Sequence, residues 1–179
     1  MKVSLPLIGL LSLFFLNNAY SQTSEFNGIV SKVSDGDTIH VLYEGKALKI
    51  RLSHIDAPER KQAHGIKSQK FLEEMILDKP VTVACKMKDG KWDKGFYGRL
   101  ICNTFIYEDN SPTYINAKMI KSGNAWVYKR ERNNDYLLNL ERDAKENRRG
   151  LWSIASPIEP WIYRKLKKCL LLFNDKDYL

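Results

Sequence analysis

The stretch VSDGDTIHVLYEGKALKIRLSHIDAPE, Val33 to Glu59, decides the fold and carries most of the functional information. Apolar and β-branched residues run from Ile39 to Leu42 and again from Ala47 to Ile55, with Tyr43-Glu44-Gly45-Lys46 between them as a turn. That is the pattern of a β-hairpin. Its open ends lie side by side, so Asp37, just before the first strand, comes near Asp56, just after the second, and Arg51 projects from within the second strand. Two carboxylates at one hairpin mouth can converge on a hard cation, because calcium takes oxygen ligands from carboxylates, backbone carbonyls and water. The segment is not an EF-hand: counting from Asp35 puts Lys46 where the bidentate glutamate belongs.

Working outward, Glu25 to Lys32 alternates as a strand leading into the hairpin, and Ala57-Pro58 ends the hairpin, since proline has no N–H to give to a ladder. A helix is expected over about Gly65 to Leu77, with Phe71, Leu72, Met75 and Ile76 as its buried face. Val81 to Tyr107 reads as a second hairpin, followed by a turn at Glu108 to Pro112 and a short helix from Ile115 to Lys121 that stops at Gly123. Ala125 to Lys129 is a short aromatic run of ambiguous type. Asn133-Asn134-Asp135 precedes a polar helix, Tyr136 to Arg149, with Leu137, Leu140 and Ala144 inside and Gly150 as its stop.

A chain of 179 residues, 44% hydrophobic, suits one domain with appendages. Lys and Arg outnumber Asp and Glu by 29 to 21, which suggests a polyanionic partner, nucleic acid or an anionic membrane surface; charge alone does not choose between them. At the N-terminus Lys2, the apolar run Leu5 to Leu16 and Ala19-Tyr20-Ser21 read as a secretory signal cleaved after Ser21. The expected organisation is therefore a signal over residues 1–21, a domain over 22–163 and a basic, apolar tail over 164–179. The mature protein is expected in the periplasm or outside the cell, free of the membrane and monomeric. The tail is expected to pack on the domain rather than to bind membrane or nucleic acid. Export favours disulfides, and Cys85 and Cys102 sit on strand-like runs able to face each other, which leaves Cys169 over. The cysteines lack the paired spacings of a zinc site, and His40, His54 and His64 add no ligand pattern.

Three separated motifs, DGDT, then R-L-x-x-I-D-A-P-E, then Tyr97-Gly98-Arg99, resemble the staphylococcal nuclease (thermonuclease) family from about Asn27 to Trp152. The resemblance implies an α+β fold: a five-stranded OB-type β-barrel packed against about three α-helices. It implies calcium carboxylates at Asp37 and Asp56, a backbone carbonyl ligand at Ala57, phosphate-binding arginines at Arg51 and Arg99, and a catalytic glutamate at Glu59. The chain departs from the founding member in two places. Ala57 replaces a threonine, and DKGFYGR is longer than DKYGR.

Hydrolysis of a phosphodiester needs an attacking water, charge neutralisation and help for the leaving oxygen. A cation acts as Lewis acid, guanidinium forks hold phosphate bidentately, and a carboxylate, ordinarily ionised at neutral pH, accepts a proton or positions water. Tyr97, Trp126 and Tyr128 are candidates to stack on a base or sugar, a contact that tolerates every base. These residues together imply an exported calcium-dependent endonuclease acting on DNA and RNA with little sequence choice, and the family resemblance implies products that carry 3′-phosphates. The alternative class is a catalytically inactive nucleic-acid-binding module on the same barrel, which would lack part of the charged set.

Overall fold

The computed structural model describes residues 23–108 and 111–174; the expected signal over residues 1–21 lies outside them. The chain runs through strands β1 (Thr23–Asp35), β2 (Thr38–Tyr43), β3 (Lys46–Leu52) and β4 (Ile55–Asp56), then helix α1 (Gly65–Ile76). Strands β5 (Pro80–Lys88), β6 (Lys91–Trp92), β7 (Leu100–Glu108) and β8 (Ser111–Tyr114) follow, then α2 (Ile115–Lys121), β9 (Trp126–Val127), α3 (Asp135–Glu146) and α4 (Pro160–Asn174).

Strands β5-β1-β2-β3-β7 are hydrogen-bonded in that order, and pairing of β5 with β7 closes them into a five-stranded barrel. The β3–β7 pair is parallel and the other four are antiparallel. This is the OB-type α+β architecture, with four α-helices among the described residues where about three were expected; the fourth, α4, follows the barrel and its three helices. The boundary at residues 163/164 falls inside α4. β1 serves two neighbours, and register shifts between Val30 and Lys32 and between Val33 and Asp35 let it bend around the barrel.

Closure follows from period-2 burial. On β7 Leu100, Cys102, Thr104 and Ile106 point inward, meeting Ile39, Val41, Ile50, Leu52 and Val83 from the facing strands. Truncating such a residue to alanine costs about 2–5 kcal/mol. Cys85 and Cys102 stand directly opposite across β5 and β7 and form a disulfide inside the barrel, while Cys169 is exposed.

The helices depart from simple apolar periodicity. The face of α1 that is buried against β1 is Gly65, Ser68, Leu72 and Ile76; Phe71 and Met75 are only partly buried. In α3, whose N-cap Asn134 accepts from the Leu137 amide, the inner residues are Leu137, Glu141 and Ala144, and Leu140 is half-buried. Glu141 is buried because it is fully engaged: Arg132 Nη2 and Lys145 Nζ lie 2.9 Å from its Oε2, and the Val127 amide donates to its Oε1 at 2.9 Å. Burial alone would raise this carboxyl, but the two cations and the amide hold it below its ordinary value. The buried Glu141 carboxylate thus joins α3 to β9 through the Val127 amide.

Candidate active site

The second strand of the central hairpin does not run unbroken to Ile55 as the sequence suggests. It stops at Leu52, and Ser53-His54 turns away from the ladder, with His54 in the left-handed region at φ 64°. The freed backbone groups find partners: the His54 amide donates to Glu131 Oε2 at 3.1 Å, and His54 O accepts from the Tyr128 amide at 2.8 Å. Ile55 and Asp56 then pair as β4 with Val127 and Trp126. This kink turns the chain back over the barrel mouth, where Asp37 waits at the start of β2. Gly36 is required there, because a Cβ would collide with Ser68 Oγ and Ala57 Cβ.

Asp37 (6% exposed) and Asp56 (1%) face one another across Arg51. Arg51 Nη2 lies 3.2 Å from Asp37 Oδ2 and 3.1 Å from Asp56 Oδ1, and its Nη1 donates to Leu52 O at 2.8 Å. Asp37 Oδ2 also accepts from the Ala57 amide at 2.9 Å, and its Oδ1 from Thr38 Oγ1 at 3.0 Å. Burial pushes the Asp56 carboxyl up, offset in part by hydrogen bonds from Arg164, while the charge of Asp37 adds to the rise. Asp35, whose Oδ1 accepts from the Asp37 amide, is pushed up to about 7 by burial and then by the Asp37 charge. The mouth is therefore a carboxylate cluster under electrostatic load.

Arg99 enters from the start of β7, which lies parallel to β3. The longer DKGFYGR segment loops outward: Lys94 bridges Leu100, and Gly95 N donates to Arg99 O at 3.0 Å, so the extra length is absorbed before Arg99. Its Nη1 donates to Thr38 Oγ1 at 3.2 Å, and its Nε is buried without an acceptor among the described residues. Tyr97, at the tip of that loop, is 89% exposed with its ring 5.9 Å from the Arg99 guanidinium carbon.

Glu59 follows the buried Pro58. Its amide donates to Gln62 Oε1 at 3.1 Å, its carbonyl accepts from the Gln62 amide at 2.7 Å, and the start of α1 presses so close that a Cβ on Gly65 would collide with the Glu59 carbonyl. The backbone is fixed, yet the side chain is 43% exposed and bonded to Arg164 Nη1 at 2.8 Å.

Asp37, Arg51, Asp56, Ala57, Glu59 and Arg99 all line one cleft of about 580 Å³, which Tyr97 and the half-buried Tyr128 also border. Trp126 is the correction among the expected stacking residues: it is buried, edge-on to Trp152 at 5.2 Å, and presents no face to the cleft. Among the described residues no three His, Cys, Asp or Glu side chains gather as a metal cluster. Two carboxylates sharing one cationic nitrogen are nonetheless a donor set of the hard-oxygen kind, fit for a divalent cation completed by carbonyls and water.

Two contributors were not legible in the sequence. Arg164 Nη2 lies 2.7 Å from Asp56 Oδ2, and its Nη1 bonds Asp56 Oδ1 at 3.2 Å. Nothing in a run of tail lysines distinguishes it. Glu131 takes the kinked His54 amide, lies 2.9 Å from His54 Nδ1 and 3.1 Å from Lys86 Nζ, and is held down to about 2 by the His54 and Lys86 hydrogen bonds against its burial. His54, which adds no metal-ligand pattern to the sequence, is its partner at the cleft wall.

A family model of staphylococcal nuclease homologues matches residues 49–154. An Escherichia coli protein named "uncharacterized endonuclease" is 37% identical over 144 residues, covering 80% of this chain and 88% of its own. A Haemophilus influenzae protein of the same name is 36% identical over 173 residues, covering 96% and 91%. A Shigella flexneri protein named "micrococcal nuclease" is 33% identical over 152 residues, covering 81% and 84%. With the charged set gathered in one cleft of an OB-type barrel, the chain belongs to the staphylococcal nuclease family and is a phosphodiester-hydrolysing nuclease.

Proposed function

We propose that this nuclease is an exported, calcium-dependent endonuclease that cleaves DNA and RNA with little sequence choice and leaves 3′-phosphates. The observation that carries the substrate reading is Arg99: a guanidinium whose buried Nε has no acceptor among the described residues, on a cleft that Arg51 also lines, suits the oxygens of a phosphodiester. Residue types around it favour backbone over base recognition. Tyr97 and Tyr128 offer aromatic faces, and the polar lining of the cleft is mostly charged, arginines and carboxylates, rather than a set of neutral donors and acceptors aimed at base edges.

Asp37, Asp56 and the Ala57 carbonyl are the groups that would hold calcium. Bound there, the ion would supply Lewis acidity to a phosphate oxygen. The chain's own residues do the rest. Arg51 and Arg99 bind the non-bridging oxygens and stabilise the charge that grows on them, and Thr38, hydrogen-bonded to both Asp37 and Arg99, keeps the two sides of the cleft in register. Glu59, at the cleft's open side, takes the proton of the attacking water on a carboxylate oxygen or orients that water. The reading of a 3′-phosphate product rests on the family resemblance, and export rests on the signal-like N-terminus together with the barrel's disulfide.

The test is incubation of residues 22–179 with single- and double-stranded DNA and RNA, in calcium or in chelator, with end-group analysis of the products. Cleavage of all four in calcium, absent in chelator and in Asp37→Ala, is the expected result. Undiminished cleavage in chelator would remove the calcium assignment.

A further inference from the structure

Helix α4 is docked by its first turn only. Pro160 is buried, the Lys129 ammonium lies 5.7 Å from the centre of the Trp161 ring, and Gln62, the residue that brackets the Glu59 backbone, donates its amide to Ile158 O just ahead of the helix. Beyond that turn the helix makes no extended packing with another element among the described residues, and Leu166, Leu170 and Leu171 are exposed. A helix held this way brings whatever adjoins its first turn to a fixed place. Arg164 follows that turn directly, and its planar fork spans both oxygens of Asp56 and one of Glu59 at 2.7–3.2 Å.

Those contacts answer a need of the site. Asp37 and Asp56 are locked by the sheet, but the Glu59 side chain stands at the rim, and a free glutamate there would spread over several rotamers. A group meant to handle water must stay near one geometry, and a misplacement of about 1 Å costs about 100-fold. Arg164 supplies the constraint, since only a guanidinium can bridge two carboxylates through separate N–H groups in one plane.

We propose that Arg164 is a positioning residue of the hydrolytic site: from just beyond the docked turn of α4 it fixes the Glu59 carboxylate relative to Asp56. The inference rests on the nuclease reading above. It also makes Arg164 a competitor of any divalent cation for Asp56, because the guanidinium already engages both of that residue's oxygens.

The experiment compares wild type, Arg164→Ala and Arg164→Lys in the full mature chain by kcat and KM on DNA, by melting temperature and by calcium titration calorimetry without substrate. Arg164→Ala is expected to lower kcat by about 10- to 100-fold with KM little changed. Its calcium affinity should equal or exceed that of wild type, and its melting temperature should barely move. Arg164→Lys, with one charge but no fork, should recover only part of kcat. Unchanged or increased kcat in Arg164→Ala would overturn the inference, as would calcium binding weakened in parallel with the rate. An inactive wild type would instead remove the nuclease reading, and this inference with it.

Discussion

On one wall of the cleft the buried Asp37 and Asp56 are both bonded to the half-buried Arg51, on or beside strands; on the other, Glu59 and Arg164 stand on a loop and a peripheral helix, both substantially exposed. The strand-built wall is part of the fold's own hydrogen-bonding, so its charges serve stability and substrate together. The outer wall is held by a few specific contacts, Gln62 to Ile158 and Arg164 to the two carboxylates, and its residues can be changed with little cost to the barrel. Rigidity where charge must be concentrated, and replaceable contacts where water enters, is the division this cleft makes.

The two arginines provide the sharpest contrast within that division. Arg51→Ala and Arg99→Ala should each lower kcat by about 10²–10³, the loss seen when one transition-state donor is removed. Only Arg51→Ala should also lower the melting temperature, because it leaves Asp37 and Asp56 facing each other without the cation between them. Equal melting temperatures would show that the strand-built wall is less dependent on its ion pairs than the geometry implies.

The disulfide asks how much of the barrel's stability is covalent. Cys85 and Cys102 are 17 positions apart, and their link should contribute about 3 kcal/mol by restricting the unfolded chain. Denaturant midpoints of Cys85→Ala/Cys102→Ala against wild type measure it, and Cys169→Ser should leave the midpoint unmoved.

The motifs of the Val33–Glu59 stretch foretell part of the strand-built wall, because hairpin pairing sets Asp37 beside Arg51 and Leu52, a local consequence of period and turn, whereas Asp56 reaches Asp37 only through the kink. The break at Ser53-His54 was not visible, since Ile55 continues the β-branched run; the kink is set by Glu131 and Tyr128, more than seventy positions away. The inner face of α3 misled for a similar reason: an apolar stripe points to Leu140, while a carboxylate satisfied by Arg132, Lys145 and a backbone amide takes the buried position at Glu141. Trp126 looked like a stacking residue because aromatic content does not reveal that Trp152 covers it. Arg164 was hidden by distance, 105 positions from Glu59.

The smallest effect concerns the kink. Glu131 is held down to about 2 from an ordinary 4.5, so its bonds to His54 and Lys86 stabilise the fold above pH 4.5 and are lost as pH falls from there through about 2. With solvent screening at this half-buried site the difference is about 1 kcal/mol. Wild type should therefore exceed Glu131→Gln in stability at pH 6, and the gap should close on acidification over that window; a gap constant from pH 6 to pH 2 would mean that the carboxylate charge plays no part.

The most direct test of the division between the walls is Glu59→Gln, studied by calcium and nucleotide titration calorimetry alongside single-turnover cleavage. Glutamine keeps the length and a hydrogen-bonding oxygen for Arg164 but loses the negative charge and the ability to take a proton at neutral pH. The account predicts that calcium and nucleotide still bind within about tenfold of wild type while turnover falls by about 10²–10⁴. A calcium affinity that collapses together with the rate would contradict it, because Glu59 would then belong with Asp37 and Asp56 as a ligand or a support of the fold rather than with the water.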